Sequence, residues 1–193
     1  QRGMLRNLIL ALDMSSSMKE GDIKPNRYDA TVQYVKQFVQ SYLDRNPLCN
    51  IGIIVARDAV ASVVSELSGV SQRHEEKLSA ITPQGSFSLR NILLLAANKL
   101  KDVPSYMTKE VLLIQSSLNT SDASSVLDTM EKLKKENVRC SVVSLSSEVY
   151  VFKALTRLTK GTFGVCLDKT HFKELLLRHI TPLLSVYERR ETP

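Results

Sequence analysis

Short apolar runs alternate with stretches of helical periodicity along this chain, and that alternation sharply limits the folds open to it. Leu8-Ile9-Leu10-Ala11-Leu12, Ile51-Gly52-Ile53-Ile54-Val55 and Val111-Leu112-Leu113-Ile114 are apolar at nearly every position, as strands buried on both faces are. After the first run, Val32, Val35, Phe38, Val39, Tyr42 and Leu43 recur at three- and four-residue spacing, and Asn46-Pro47 stops the stripe. Leu89, Ile92, Leu93, Ala96 and Leu100 form a second stripe, and Val126, Leu127, Met130 and Leu133 a third. A short helix around His74 to Ile81, a strand from Val138 to Leu145 and a helix carrying Val149, Phe152, Leu155 and Leu158 continue the series. A strand from Thr162 to Leu167 and a helix from His171 to Ile180 close it. Strands joined by helices imply right-handed crossovers and a mostly parallel α/β sheet with helices on both faces. One connection is different. Between Val55 and a strand from Ala59 to Leu67 there is room only for a turn at Asp58, so this pair is predicted as a hairpin that adds one antiparallel edge strand.

At 193 residues the chain fits one domain with a substantial core, and 24% charged with 43% apolar residues is an ordinary soluble globular composition. The net charge of +6 is mild. Basic residues gather only at Lys132, Lys134, Lys135 and Arg139, and at Arg189 and Arg190. They read as a solvated helix face or as a phosphate-binding patch, and the lack of interleaved aromatic residues favours the first. Cys49, Cys140 and Cys166 are odd in number, far apart and without a CxxC pair, as expected of reduced core thiols in an intracellular protein. No apolar run reaches the roughly 18 residues of a membrane span, and the amino terminus has no signal-peptide pattern. A chain running from Gln1 to Pro193 is read as a segment of a longer protein.

The first strand ends in Asp13-Met14-Ser15-Ser16-Ser17, at the carboxyl edge where open α/β sheets place their ligands. In an extended turn alternate residues face one way, so Asp13, Ser15 and Ser17 offer hard oxygens to a Mg²⁺-like ion. Equally, aspartate and serine at such a place hold backbone amides in a rigid turn. Enzyme signatures are missing: there is no GxSxG, GxxxxGK[ST] or GxGxxG. A haloacid-dehalogenase-like phosphatase also opens on a strand-end aspartate, but it needs a second carboxylate two residues on, where this chain has Ser15. His74, His171 and His179 fall in helical segments and read as surface or packing residues, with Glu75-Glu76 marking an exposed face.

The strand count and order, with Asp13-x-Ser15-x-Ser17, resemble the von Willebrand factor A domain over roughly residues 4 to 181. The resemblance implies a Rossmann-like fold whose metal site takes a threonine from a second loop and an aspartate from a third. Here Phe87 stands in the threonine register, flanked by Ser86 and Ser88, and Ser116-Ser117-Leu118 replaces Thr-Asp-Gly. One carboxylate holds Mg²⁺ poorly, so no cofactor is expected in this domain and Asp13, Ser15 and Ser17 are read as a degenerate remnant. Longer stretches narrow the family. Arg2-Gly3-Met4, Lys24-Pro25-Asn26-Arg27, Glu66-Leu67-Ser68-Gly69, Lys109-Glu110-Val111-Leu112, Leu145-Ser146-Ser147-Glu148-Val149 and His171-Phe172-Lys173-Glu174-Leu175-Leu176 are similar to core subunits of the general transcription and repair factor TFIIH. That resemblance implies a non-catalytic nuclear module acting in transcription initiation and nucleotide excision repair. Its implied partners are an XPD-type helicase, which it binds and stimulates, and other TFIIH core subunits; neither membrane nor direct nucleic-acid binding is indicated. Zinc is implied only for carboxyl-terminal modules outside this segment. The expected contact is the rim at the strand carboxyl ends: Ser117, Leu118, Asn119 and Thr120, with Lys19, Glu20 and Asp22 as further rim residues. Leu118 is either an anchor for a partner pocket or a side chain tucked onto the adjoining helix. The alternative family is the von Willebrand A domain of the proteasome's ubiquitin-receptor subunit, which lacks these longer stretches.

Overall fold

The computed structural model describes residues 5–121 and 126–182. Arg2-Gly3-Met4, Asp122 and the Arg189-Arg190 pair lie outside the described residues. In chain order the elements are β1 (Arg6–Asp13), α1 (Arg27–Arg45), β2 (Asn50–Arg57), β3 (Val60–Ser68), α2 (Ser71–Leu78), α3 (Leu89–Leu100) and β4 (Thr108–Gln115). They continue as α4 (Val126–Lys135), β5 (Arg139–Ser144), α5 (Tyr150–Thr159), β6 (Phe163–Val165) and α6 (Lys169–Leu177). The strands form one sheet in the order β3-β2-β1-β4-β5-β6, parallel throughout except for the edge hairpin β2/β3. Asp58 and Ala59 turn that hairpin with φ of 52° and 60°, as a two-residue connection between twisted strands requires.

Alternation along the strands divides the interior in two. Leu8, Leu10 and Leu12 of β1, with Leu112 and Ile114 of β4, pack beneath α1 and α6. Ile9 and Ala11, with Val111 and Leu113, pack beneath α3, α4 and α5 on the opposite face. This two-sided burial is why the runs carry no polar interruptions. Gly52 is part of the fit, since a Cβ there would come within 2.8 Å of Ile9 Cδ1. Asn26 and Ser88 cap α1 and α3 by accepting from the backbone N–H of Asp29 and Asn91.

The ends of several elements differ from the sequence reading. β4 starts at Thr108, three residues ahead of its apolar run, because Arg6 to Leu8 of β1 pair with Thr108 to Glu110. At the sheet edge only Phe163–Val165 pairs with β5, so β6 is shorter than Thr162 to Leu167. α6 stops at Leu177 rather than Ile180, and α2 spans Ser71–Leu78 rather than His74 to Ile81. His74 is fully buried although Glu76 beside it is exposed. Its Nε2 lies 3.0 Å from the Ser68 carbonyl, which can only accept, so Nδ1 accepts from the Ser65 hydroxyl at 2.6 Å. This pair pins α2 to β3. Cys49, Cys140 and Cys166 are buried and are not joined in disulfides.

Beyond α6 the chain returns to the amino end of β1, where burial pushes the His179 imidazole down to about 4. A histidine held neutral in the fold contributes stability above its unfolded value near 6.5, and that contribution is lost as the pH falls through about 4. Urea unfolding is therefore expected to weaken between pH 7 and pH 4.5, and His179→Gln to reduce that slope. The slope is reduced rather than abolished, because burial also holds His74 below its ordinary value. A slope identical in the variant would refute this assignment.

Candidate functional site

β1 and β4 are adjacent and parallel, with Leu12 opposite Ile114, so their carboxyl ends bring Asp13 and Ser116-Ser117 together from distant parts of the sequence. The fully buried Asp13 carboxylate accepts three backbone bonds. Oδ1 takes the Ser15 N–H at 3.0 Å, and Oδ2 takes those of Ser116 at 2.9 Å and Ser117 at 2.7 Å. Above it the hydroxyls close on one another. Ser15 Oγ lies 2.8 Å from Ser17 Oγ and 2.6 Å from Ser117 Oγ, while Ser17 Oγ donates to Ser116 Oγ at 2.8 Å. Arg27, buried at the start of α1, completes the cluster. Its Nη1 donates to the Ser116 carbonyl at 3.1 Å and to Ser116 Oγ at 3.0 Å, while Nε and Nη2 grip both Asp22 oxygens at 2.8 Å. The guanidinium holds the Asp22 carboxyl below its usual range by direct hydrogen bonding.

Neighbouring loops fix the first one in place. Ser16 N–H donates to the Gly85 carbonyl at 2.9 Å, and Gln84 N–H donates to the Met14 carbonyl at 2.9 Å. Gly85 has φ +72°, and a Cβ on it would lie 2.1 Å from Asp58 Oδ1, so glycine is required there. Phe87 is buried against Phe152, with ring centroids 6.3 Å apart. Ser88 is committed to its cap, and Ser86 is exposed with its carbonyl accepting from Ala59 N–H.

A divalent cation does not fit this donor set. The single carboxylate already accepts three N–H bonds, the hydroxyls are turned toward each other, and a guanidinium occupies the oxygens of Ser116. Among the described residues no group of three His, Cys, Asp or Glu side chains gathers to hold a metal ion.

Over this network lies an open cleft of about 400 Å³ lined by Ser17, Glu20, Arg27, Ser117, Leu118 and Asn119 among others. Leu118 is 55% exposed, so its side chain is not buried against the protein. Thr120 lines the cleft too, but its hydroxyl accepts from Leu89 N–H at 3.0 Å and ties the loop to the start of α3. Lys19 is exposed and lies outside the lining. Two residues that hold the Leu118 loop carried no sequence signal. One is Arg27. The other is Gln115, fully buried, whose amide accepts from Ser144 Oγ at 2.6 Å and donates to the Ser117 carbonyl.

A family model described as Ssl1-like matches residues 11–192. The chain belongs to the Ssl1-like family. It is 39% identical over 183 residues to general transcription factor IIH subunit 2 of Dictyostelium discoideum, covering 94% of this chain and 40% of that protein. It is 35% identical over 187 residues to the general transcription and DNA repair factor IIH subunit ssl1 of Schizosaccharomyces pombe, covering 94% and 44%. The chain thus spans less than half the length of these curated relatives. Among solved structures, the SpRpn10 VWA domain superposes with a TM-score of 0.79 at 16% identity, covering 94% of this chain and 100% of that one. This Ssl1-like chain therefore has the VWA fold.

Proposed function

We propose that this domain is a non-catalytic docking module of a TFIIH-type complex in the nucleus, acting in transcription and nucleotide excision repair, that binds an XPD-type helicase and stimulates it. The names of its Ssl1-like relatives, a general transcription factor and a transcription and DNA repair factor, support the complex. One observation carries the docking reading: Leu118 stands out to solvent from a loop whose backbone is bonded to Asp13, Gln115 and Arg27. An apolar side chain presented on a rigid loop loses little freedom on binding, which is the property of an interface anchor. Such a module accelerates a helicase only by binding its productive conformation better than the others.

The test measures ATP hydrolysis and unwinding by the cognate helicase with and without the domain. Stimulation together with binding is expected, and no binding sinks the reading. Leu118→Arg is expected to weaken binding by roughly 30-fold or more, the loss typical of a central anchor. Its thermal unfolding should match the parent, because the side chain is exposed. Unchanged affinity would remove Leu118 from the interface.

A further inference from the structure

We infer that Arg27 is the built-in cation of this site: its guanidinium, fixed by Asp22, sets the shape of the Leu118 loop and keeps divalent metal out. The loop's part in docking rests on the function proposed above; the charge at Arg27 and its bonds do not. Five N–H donors on a planar fork suit the task. Two grip the Asp22 carboxylate and two reach the oxygens of Ser116, so one side chain ties the loop after β1 to the loop after β4. Buried in the lining of the cleft, the same charge lies in the field of Asp22, Glu20 and Asp13. A metal entering here would meet a fixed positive charge close to the buried Asp13 carboxylate, with Ser116 Oγ already holding a guanidinium hydrogen. Arg27 is thus a positioning residue. It acts on a partner through the backbone of Ser116 and the loop that follows.

The inference predicts what restores metal binding. Ser117→Asp places a second carboxylate beside Asp13, but with Arg27 present that carboxylate pairs with the guanidinium. Combining it with Arg27→Ala leaves that new carboxylate and Ser116 Oγ without the guanidinium, free to join the Ser15 and Ser17 hydroxyls around a cation. Calorimetry with Mn²⁺ and with Mg²⁺ alone, on the full chain, is expected to show no binding to the parent or to Arg27→Lys/Ser117→Asp, which keeps the charge. Arg27→Ala/Ser117→Asp is expected to bind Mn²⁺ about tenfold or more tighter than Ser117→Asp, since the competing ionic hydrogen bonds are gone. Equal binding by those last two, or binding by neither, overturns the inference.

Amide hydrogen exchange reads the second half. In Arg27→Ala, exchange at Ser116 and Ser117 is expected to quicken about tenfold or more, as loss of bonds to an ionised group allows, while Leu10 and Leu112 in the sheet interior stay protected. Arg27→Lys should fall between, because an ammonium cannot hold Asp22 and Ser116 together in the fork's geometry. Unchanged exchange at Ser116 and Ser117 in Arg27→Lys, a variant that keeps the charge and the fold, would show that the guanidinium does not position the loop. Stimulation lost with these metal and exchange results intact would fault only the docking role.

Discussion

Asp13→Ala is expected to cost about 4 kcal/mol of folding stability, because it strands three buried N–H donors that each lose a bond to an ionised acceptor. Water entering the vacated space offsets part of the roughly 1–3 kcal/mol that each unsatisfied donor costs, which is why the sum stops short of the maximum. Asparagine is not a rescue. Its NH₂ would face either Ser15 N–H or the N–H pair of Ser116 and Ser117, so Asp13→Asn retains acceptance on one side and sets donor against donor on the other. Urea unfolding followed by circular dichroism measures the effect, and a loss under about 1 kcal/mol would mean the carboxylate is not the brace described. A companion measurement separates brace from metal ligand. A metal bound at a hundred times its Kd would add about 2.7 kcal/mol, so an unfolding midpoint equal in EDTA and in millimolar Mg²⁺ is the expected result.

That brace was half legible in the sequence. The alternation of Asp13, Ser15 and Ser17 is local, and the parallel pairing of two apolar runs is enough to bring their ends, and so Ser116 and Ser117, to the same edge. A mostly parallel sheet with one antiparallel edge follows from the same local signals, since Leu8 to Leu12 and Val111 to Ile114 are apolar on both faces and only the Asp58-Ala59 connection is too short for a helix, whereas the strand order was implied only by the von Willebrand A resemblance. Arg27 was not legible, because an arginine opening an amphipathic helix reads as solvent-facing. Nothing in its neighbours announces an oxygen 89 residues away. For His74 the sequence left surface and packing both open for a related reason: Glu75 and Glu76 describe one side of α2, and the partners that bury His74, Ser65 and Ser68, both lie in β3. Boundaries failed where polar residues pair across strands, as Thr108 and Glu110 do, because the apolar pattern ends before the ladder does.

Arg6 is the extreme of that blindness, and its loss is expected to be as costly as that of Asp13. An arginine just ahead of an apolar run looks like a solvated flank, yet the Arg6 side chain is 2% exposed. Nε and Nη2 pair with the two Glu110 oxygens at 2.9 and 2.8 Å, Nη1 donates to the Ile180 carbonyl at 2.6 Å, and Nη2 to the His179 carbonyl at 2.9 Å. The guanidinium also lies 4.8 Å from the centroid of the Tyr42 ring. One side chain thus joins β1, β4, α1 and the turn after α6. Arg6→Ala leaves the Glu110 carboxylate largely buried without its counter-charge, a loss of about 3–5 kcal/mol for a broken buried pair. Arg6→Lys should recover little, since a single ammonium cannot bond Glu110 bidentately and reach two carbonyls as well. Arg6→Met with Glu110→Leu removes both charges and should recover much of the loss, because apolar replacement of a whole buried pair is often near neutral. Recovery stays incomplete, since the His179 carbonyl loses the Arg6 bond in either variant and the Ile180 carbonyl is left with the longer one from Asn46 Nδ2 at 3.4 Å. The double-mutant cycle in urea measures this as a coupling between positions 6 and 110, and additive losses would show that Arg6 acts through Tyr42 and the carbonyls of His179 and Ile180 rather than through Glu110.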